Sequence, residues 1–143
     1  MRTLKQLIEA KNKRLAFVSP EQSVLRALEI MAEVDVGALL VLDGKQLIGV
    51  FSERDYARKV ILQGKASRDT PVCDVMSGKV VSVTSDQSIE ECMAIMTDKH
   101  IRHLPVMDKD NRVLGIISIG DVVKEIVNEQ KFIISQLENY ITG

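Results

Sequence analysis

Two carboxylates occupy matching places in this chain. Asp55 closes the run GVFSERD, Gly49 to Asp55, and Asp121 closes GIISIGD, Gly115 to Asp121; 121 less 55 gives a spacing of 66 residues. Each run is a glycine, then apolar residues of strand type, then Ser-x-x-Asp ahead of a helical pattern. The first N–H groups of a helix have no partner inside it, which favours an anion such as a phosphate at that corner. Ser52 and Ser118 each add a hydroxyl there. Asp55 and Asp121 have the oxygens to accept both hydroxyls of a vicinal diol such as a ribose, through charge-assisted bonds of about 1.5–3 kcal/mol each. The same residues have a second reading without a ligand, since Ser-x-x-Asp before an apolar run is also a capping-box variant. The recurrence of the corner, rather than either copy alone, makes it a candidate for chemistry.

Other constellations are absent from the sequence. Cys73 and Cys92 are 19 residues apart with no CxxC, and read as small apolar fillers of a chain in a reducing compartment. His100 and His103 are the only histidines and have no companion pair at zinc spacing. No Ser-His-Asp or Cys-His arrangement appears, and the corner carboxylates have no positioned acid or base beside them. The expectation is therefore no catalytic residue, no metal, no catalytic cofactor and no enzyme.

The elements that must position the corners repeat as well. Thr3 to Lys11 carries Leu4, Leu7 and Ile8 on one face and forms a short amphipathic helix with a basic end at Lys11, Lys13 and Arg14. Leu15 to Val18 suits a strand. Ser23 is an N-cap for a helix whose apolar residues Val24, Ala27, Leu28 and Met31 fall at i, i+3, i+4, i+7. Gly37 to Leu42 is a buried strand, Asp43-Gly44 a hairpin turn and Gln46 to Phe51 its partner, after which the chain is helical from Ser52 to Gly64. The polar, punctuated stretch 65–78 reads as a linker. The pattern then restarts with strand Val80 to Val83, N-cap Ser88, helix face Ile89, Cys92, Met93, Met96, strand Leu104 to Met107 and strand Val113 to Ser118. Caps, core faces, turn and corner thus repeat together as two βαββα units of an α+β (α/β) fold. The expected divisions are 1–64 for the N-terminal helix and first repeat, 65–78 for the linker, 79–127 for the second repeat and 128–143 for a helical tail. That tail has an apolar face, Phe132, Ile133, Leu137 and Ile141, with no counterpart in repeat one.

Composition narrows the function classes. The chain has 143 residues, 45% of them hydrophobic, with Lys+Arg 19 against Asp+Glu 20 and a net charge of −1. No basic excess points to nucleic acid or anionic lipid. The longest apolar runs are strand-sized, far short of the roughly 20 residues that span a bilayer, and MRTLKQLIEAKNKR holds no apolar signal region. A cytoplasmic protein is expected.

The repeated Gly-x-x-Ser-x-x-Asp, the strand IRHLPVMD (Ile101 to Asp108), the approach DVM (Asp74 to Met76) and the helix spacings resemble cystathionine-β-synthase (CBS) domains over about residues 1 to 127. The pair resembles a Bateman module of the small bacterial stand-alone type. The resemblance implies two repeats packed through their sheets about a pseudo-twofold axis, with two clefts that hold adenosine compounds. The first would comprise Ser52, Arg54, Asp55, Met76, Lys79, Val81, Ile101, Arg102 and His103. The second would comprise Arg14, Ala16, Val36, Gly37, Ala38, Ser118 and Asp121. It also implies a regulatory role, a ligand such as AMP, with NAD, ADP, ATP or S-adenosylmethionine as alternatives, and a homodimer that acts on an unidentified regulated protein. The competing role is a non-catalytic dimerisation module with one or both clefts empty.

The two sets differ in charge. Where the first has Arg54, Arg102 and His103, the second has Gly120, Gly37 and Ala38, although Lys11, Lys13 and Arg14 are expected to stand in partly for the missing cations. The first is accordingly expected to prefer a ligand with a charged phosphate, and the second to bind more weakly or to accept a different adenosine compound.

Overall fold

The structure is a computed structural model in which residues 1–11 and 15–142 are described. Its contacts divide the chain into two compact units, Lys13–Val81 around the first repeat and Met1–Asn12 with Ser82–Gly143 around the second.

In the first-repeat unit, β1 (Phe17–Val18) leads through α2 (Val24–Val34) to β2 (Ala38–Asp43), β3 (Gln46–Ser52) and the short α3 (Glu53–Asp55), which runs on into a π-helical turn, Tyr56–Ile61. The sheet order is β1-β2-β3, with β1 parallel to β2 and β2 antiparallel to β3. Ser23 caps α2 by accepting from the Arg26 N–H, and Asp35 ends it in the left-handed region. The hairpin turn lies one residue later than expected, since Asp43 still pairs with Gln46 and Gly44 takes φ +63. Val18, Val24, Ala27, Leu39, Val41, Phe51 and Val60 form a core with no exposed surface, consistent with the helical and strand periodicities that selected them.

Residues 65–78, expected as a linker, are part of this unit. The Val24 and Leu25 N–H groups donate to the carbonyls of Thr70 and Ser67, and the Val72 N–H donates to Gln22. A 3-10 turn at Val72–Asp74 buries Val72 and Val75 in the core. The apolar residues Val72, Val75 and Met76 lie on one face of that single turn, a signal the surrounding polar residues mask. Cys73 points the other way and is exposed, so it is not the apolar filler expected. Cys92 is buried, and burial pushes its thiol up to about 11.

The second-repeat unit has β4 (Val83–Thr84), α4 (Ile89–Lys99), β5 (His103–Met107) and β6 (Val113–Ser118), in sheet order β4-β5-β6. Ser88 caps α4 and His100 ends it in the left-handed region. The N-terminal helix α1 (Leu4–Ala10), opened by a Thr3/Gln6 capping box, belongs to this unit and buries Leu4 and Leu7. Ile8 covers Gly115 of β6 so closely that a Cβ there would lie 2.9 Å from Ile8 Cγ2. Met76 covers Gly49 of β3 in the same manner, with its sulfur 2.5 Å from a Cβ placed there. Leu4, Leu7 and Ile8 therefore do for the second repeat what Val72, Val75 and Met76 do for the first. The segment that precedes each repeat in the chain packs in the unit of the other. Finally, α5 (Ile119–Thr142) is one unbroken helix of 24 residues, where the sequence suggested a repeat helix followed by a separate tail from 128.

Candidate functional site

Both corners form as capping boxes. At the first, the Asp55 N–H donates to Ser52 Oγ (3.2 Å), while Asp55 Oδ2 accepts from the Ser52 N–H (2.9 Å) and hydroxyl (3.0 Å). At the second, the Asp121 N–H donates to Ser118 Oγ (3.1 Å) and Oδ2 accepts from the Ser118 N–H (2.8 Å). The strand ahead of each corner is fixed by its neighbour: Ala38 pairs with Ser52, and His103 with Ser118. The Glu53 N–H donates to the Gly37 carbonyl (3.1 Å) and the Ile119 N–H to that of Arg102 (2.8 Å). Two of the first three N–H groups at each helix start are thereby used inside the protein, which leaves an anion fewer donors than a bare helix end offers.

The remaining carboxylate oxygens distinguish the corners. Asp55 Oδ1 accepts from the Ser77 hydroxyl at 3.2 Å and lies 3.1 Å from the Lys59 ammonium, and the residue is 8% exposed. Asp121 Oδ2 carries, besides its cap, the Lys11 ammonium at 2.9 Å, which also donates to the Ile116 carbonyl at 3.0 Å. Asp121 Oδ1 has no hydrogen bond among the described residues, and the side chain is half-buried. Burial raises the Asp121 pKa, but the Ser118 N–H and Lys11 outweigh it and hold the carboxyl below the usual range. One turn further along α5, Glu125 is 4% exposed and takes Arg2 in a two-pronged contact, Nε and Nη2 to Oε2 at 3.0 and 2.9 Å, with the Arg2 N–H on Oε1 at 2.8 Å. Those bonds lower its pKa.

Within the first-repeat unit the structure brings Gly37 and Ala38 beside Ser52 and Asp55, and seats Met76 against β3, where Ser77 pairs with Val50. Lys79 and Arg54 are exposed, Val36 and Val81 half-buried, and buried Ala16 accepts from the Leu40 N–H. Within the second-repeat unit Arg102 and His103 adjoin Ser118 and Asp121, and Ile101 is tied to the end of α4 through Met96. Arg14 and Lys13, expected near Asp121, lie outside the described residues. Ser77, Lys59 and the Arg2–Glu125 pair went unread in the sequence. Lys59 stands at i+4 from Asp55, a recognisable helix pairing, whereas Ser77 reaches Asp55 only through the fold. Among the described residues no group of three or more His, Cys, Asp or Glu could hold a metal, and no helix is long and apolar enough to cross a membrane.

Comparison with known proteins agrees with this geometry. The family profile of the CBS domain matches twice, over residues 7–61 and 72–128. A mitochondrial CBS domain-containing protein of Arabidopsis thaliana, CBSX3, is 41% identical over 128 residues, which cover 86% of this chain and 62% of that protein. The chain thus spans under two thirds of that relative. The CBS domain-containing protein YhcV of Bacillus subtilis is 37% identical, covering 81% of this chain and 82% of its own. Among solved structures, a protein with CBS domains from Burkholderia ambifaria superimposes with a TM-score of 0.84 at 43% identity, over 90% of this chain and 96% of that one.

Proposed function

The chain belongs to the CBS-domain family, as two tandem repeats, and from that premise we propose that it is a cytoplasmic regulatory module that senses adenine nucleotides at its Ser-Asp corners. CBS-domain pairs are generally regulatory, ligand-binding modules, and CBS domains commonly bind adenosine nucleotides. In this reading the ribose diol binds Asp121, and AMP is the preferred ligand, with ADP, ATP and NAD as the competitors to measure against it. The observation that carries the reading is the state of Asp121. Its carboxyl is held ionised by Ser118 and Lys11, yet Oδ1 has no hydrogen bond among the described residues. A diol there gains charge-assisted bonds without displacing any of those contacts. Lys11, already at the site, supplies a cation for a phosphate. Asp55 is the weaker acceptor because a diol must displace Ser77 or Lys59 from Oδ1. This order inverts the one expected from the distribution of Arg54, Arg102 and His103.

A thermal-shift series with AMP, ADP, ATP, NAD and adenosine tests the proposal. Ligand at 100 times its dissociation constant should add about 2.7 kcal/mol of stability. No shift with any adenine nucleotide at millimolar concentration sinks it.

A further inference from the structure

An ionised carboxylate offers about four acceptor sites, two on each oxygen. At Asp55 all of them are engaged: Oδ2 accepts from the Ser52 N–H and hydroxyl, while Oδ1 accepts from the Ser77 hydroxyl at 3.2 Å and meets the Lys59 ammonium at 3.1 Å. At Asp121 only Oδ2 is engaged among the described residues, by the Ser118 N–H and Lys11. The difference traces to the segments that pack on β3 and β6. Met76 covers Gly49 and Ile8 covers Gly115 in the same manner. The residue after Met76 is Ser77, whose N–H donates to the Val50 carbonyl at 2.9 Å and whose carbonyl accepts from the Val50 N–H at 3.1 Å. Those two bonds fix the Ser77 backbone against β3, and its hydroxyl is thereby held on Oδ1. After Ile8 the polar group that arrives is Lys11, and it sits on the oxygen that the cap already uses. One segment delivers a hydroxyl to the second oxygen of its carboxylate, and the other leaves that oxygen open.

We propose that Ser77 is the specificity-determining residue of the first corner: its hydroxyl stands where one hydroxyl of a ribose diol would bind, and it closes Asp55 to nucleotides. The proposal rests on the reading of these carboxylates as diol acceptors. A serine hydroxyl and a ribose hydroxyl are the same kind of donor, so a ligand that displaces Ser77 exchanges one bond for an equal one. Ser77 has the further advantage of being ordered already by its pairing with Val50, whereas a ligand must lose freedom on binding. Lys59 is the lesser obstacle. Its ammonium is carried on a flexible stem, the side chain is 41% exposed, and water replaces an exposed ion pair at little cost. The first corner therefore opens or closes on a single side-chain oxygen. The two repeats acquire unequal occupancy with no change in the helices and strands that build them.

Calorimetric titration of the full chain with AMP tests this by stoichiometry. The parent should bind one AMP per chain and Ser77→Ala two, the added site being about tenfold or more tighter than any first-corner binding in the parent, since one charge-assisted bond no longer has to be displaced. Ser77→Thr keeps the hydroxyl and should keep the stoichiometry at one. The added site should discriminate against 2′-deoxy-AMP, which offers Asp55 one hydroxyl in place of a diol, and should vanish when Ser77→Ala is combined with Asp55→Asn. A parent that binds two AMP, a Ser77→Ala chain that still binds one, or a Ser77→Thr chain that binds two overturns the proposal and leaves the reading of Asp121 in place. AMP binding by Ser77→Ala with none by the parent upholds Ser77 and overturns the reading of Asp121. No AMP on either chain overturns both.

Discussion

The Lys11 ammonium lies 2.9 Å from Asp121 Oδ2 and 3.0 Å from the Ile116 carbonyl, so the end of α1 is tied to the first turn of α5. The folded pKa of Asp121 is depressed below its ordinary value near 3.9. Its contribution to stability is therefore complete above the unfolded pKa and lost as pH falls through the folded one. Lys11→Met should cost about 1 kcal/mol at pH 7, and the difference from the parent should shrink as pH falls below the ordinary carboxylate range. Urea denaturation at pH 7 and in acid measures both.

Arg2 and Glu125 form a second tie between the N-terminal segment and α5, more deeply placed on the glutamate side. Arg2→Ala strips a buried carboxylate of its two guanidinium bonds, leaving only the backbone N–H on Oε1, and should destabilise the second-repeat unit by about 1.5–3 kcal/mol. Glu125→Met in the same chain removes the unpaired charge and should restore more than half of the loss. The Glu125 pKa is likewise lowered, so this cost also disappears in acid, as the carboxyl protonates in both states. A single-variant loss that persists unchanged at low pH argues against the pair.

Gly115 and Gly49 are required for close approach rather than for a turn. Gly115→Ala places a methyl 2.9 Å from Ile8 Cγ2 and 3.0 Å from Cδ1, and should destabilise by about 1–3 kcal/mol. Ile8→Ala should suppress most of that penalty if α1 packs on β6 as described. At Gly49 the methyl also meets the Ser77 carbonyl at 3.2 Å, so Gly49→Ala should displace Ser77 from Asp55 as well. Denaturation of the single and double variants decides each case.

The repeated elements were legible because their signals are local. Ser23 and Ser88 cap helices whose apolar spacing is regular, and the spacing of 66 between Asp55 and Asp121 locates both corners. The packing of α1 was not legible, because nothing in LKQLIEA states which repeat it covers; Ile8 finds Gly115 only in the folded chain. Residues 65–78 misled because Val72, Val75 and Met76 are three apolar residues among polar neighbours, too few for a periodicity. The occupants of the two carboxylates depended on the same long-range contacts. Ser77 is 22 residues from Asp55, and Lys11 is 110 from Asp121.

A phosphate requirement separates nucleotide binding from nucleoside binding. With Lys11 as the cation, AMP should bind more tightly than adenosine, and the advantage should shrink between 50 and about 500 mM salt as the Debye length contracts. Lys11→Met should bring the two affinities together. Equal affinities in the parent chain would remove Lys11 from the site.

Calorimetric titration of AMP into the parent chain, Asp121→Asn and Asp55→Asn tests the account most directly. Both variants keep an acceptor oxygen for the cap, so folding should be retained and can be checked by circular dichroism. Loss of one charge-assisted bond corresponds to about tenfold or more in affinity. The account predicts that Asp121→Asn weakens the tightest AMP site by at least about tenfold, while Asp55→Asn leaves that site within about threefold of the parent. AMP binding that survives Asp121→Asn unchanged, or that is abolished by Asp55→Asn alone, contradicts it.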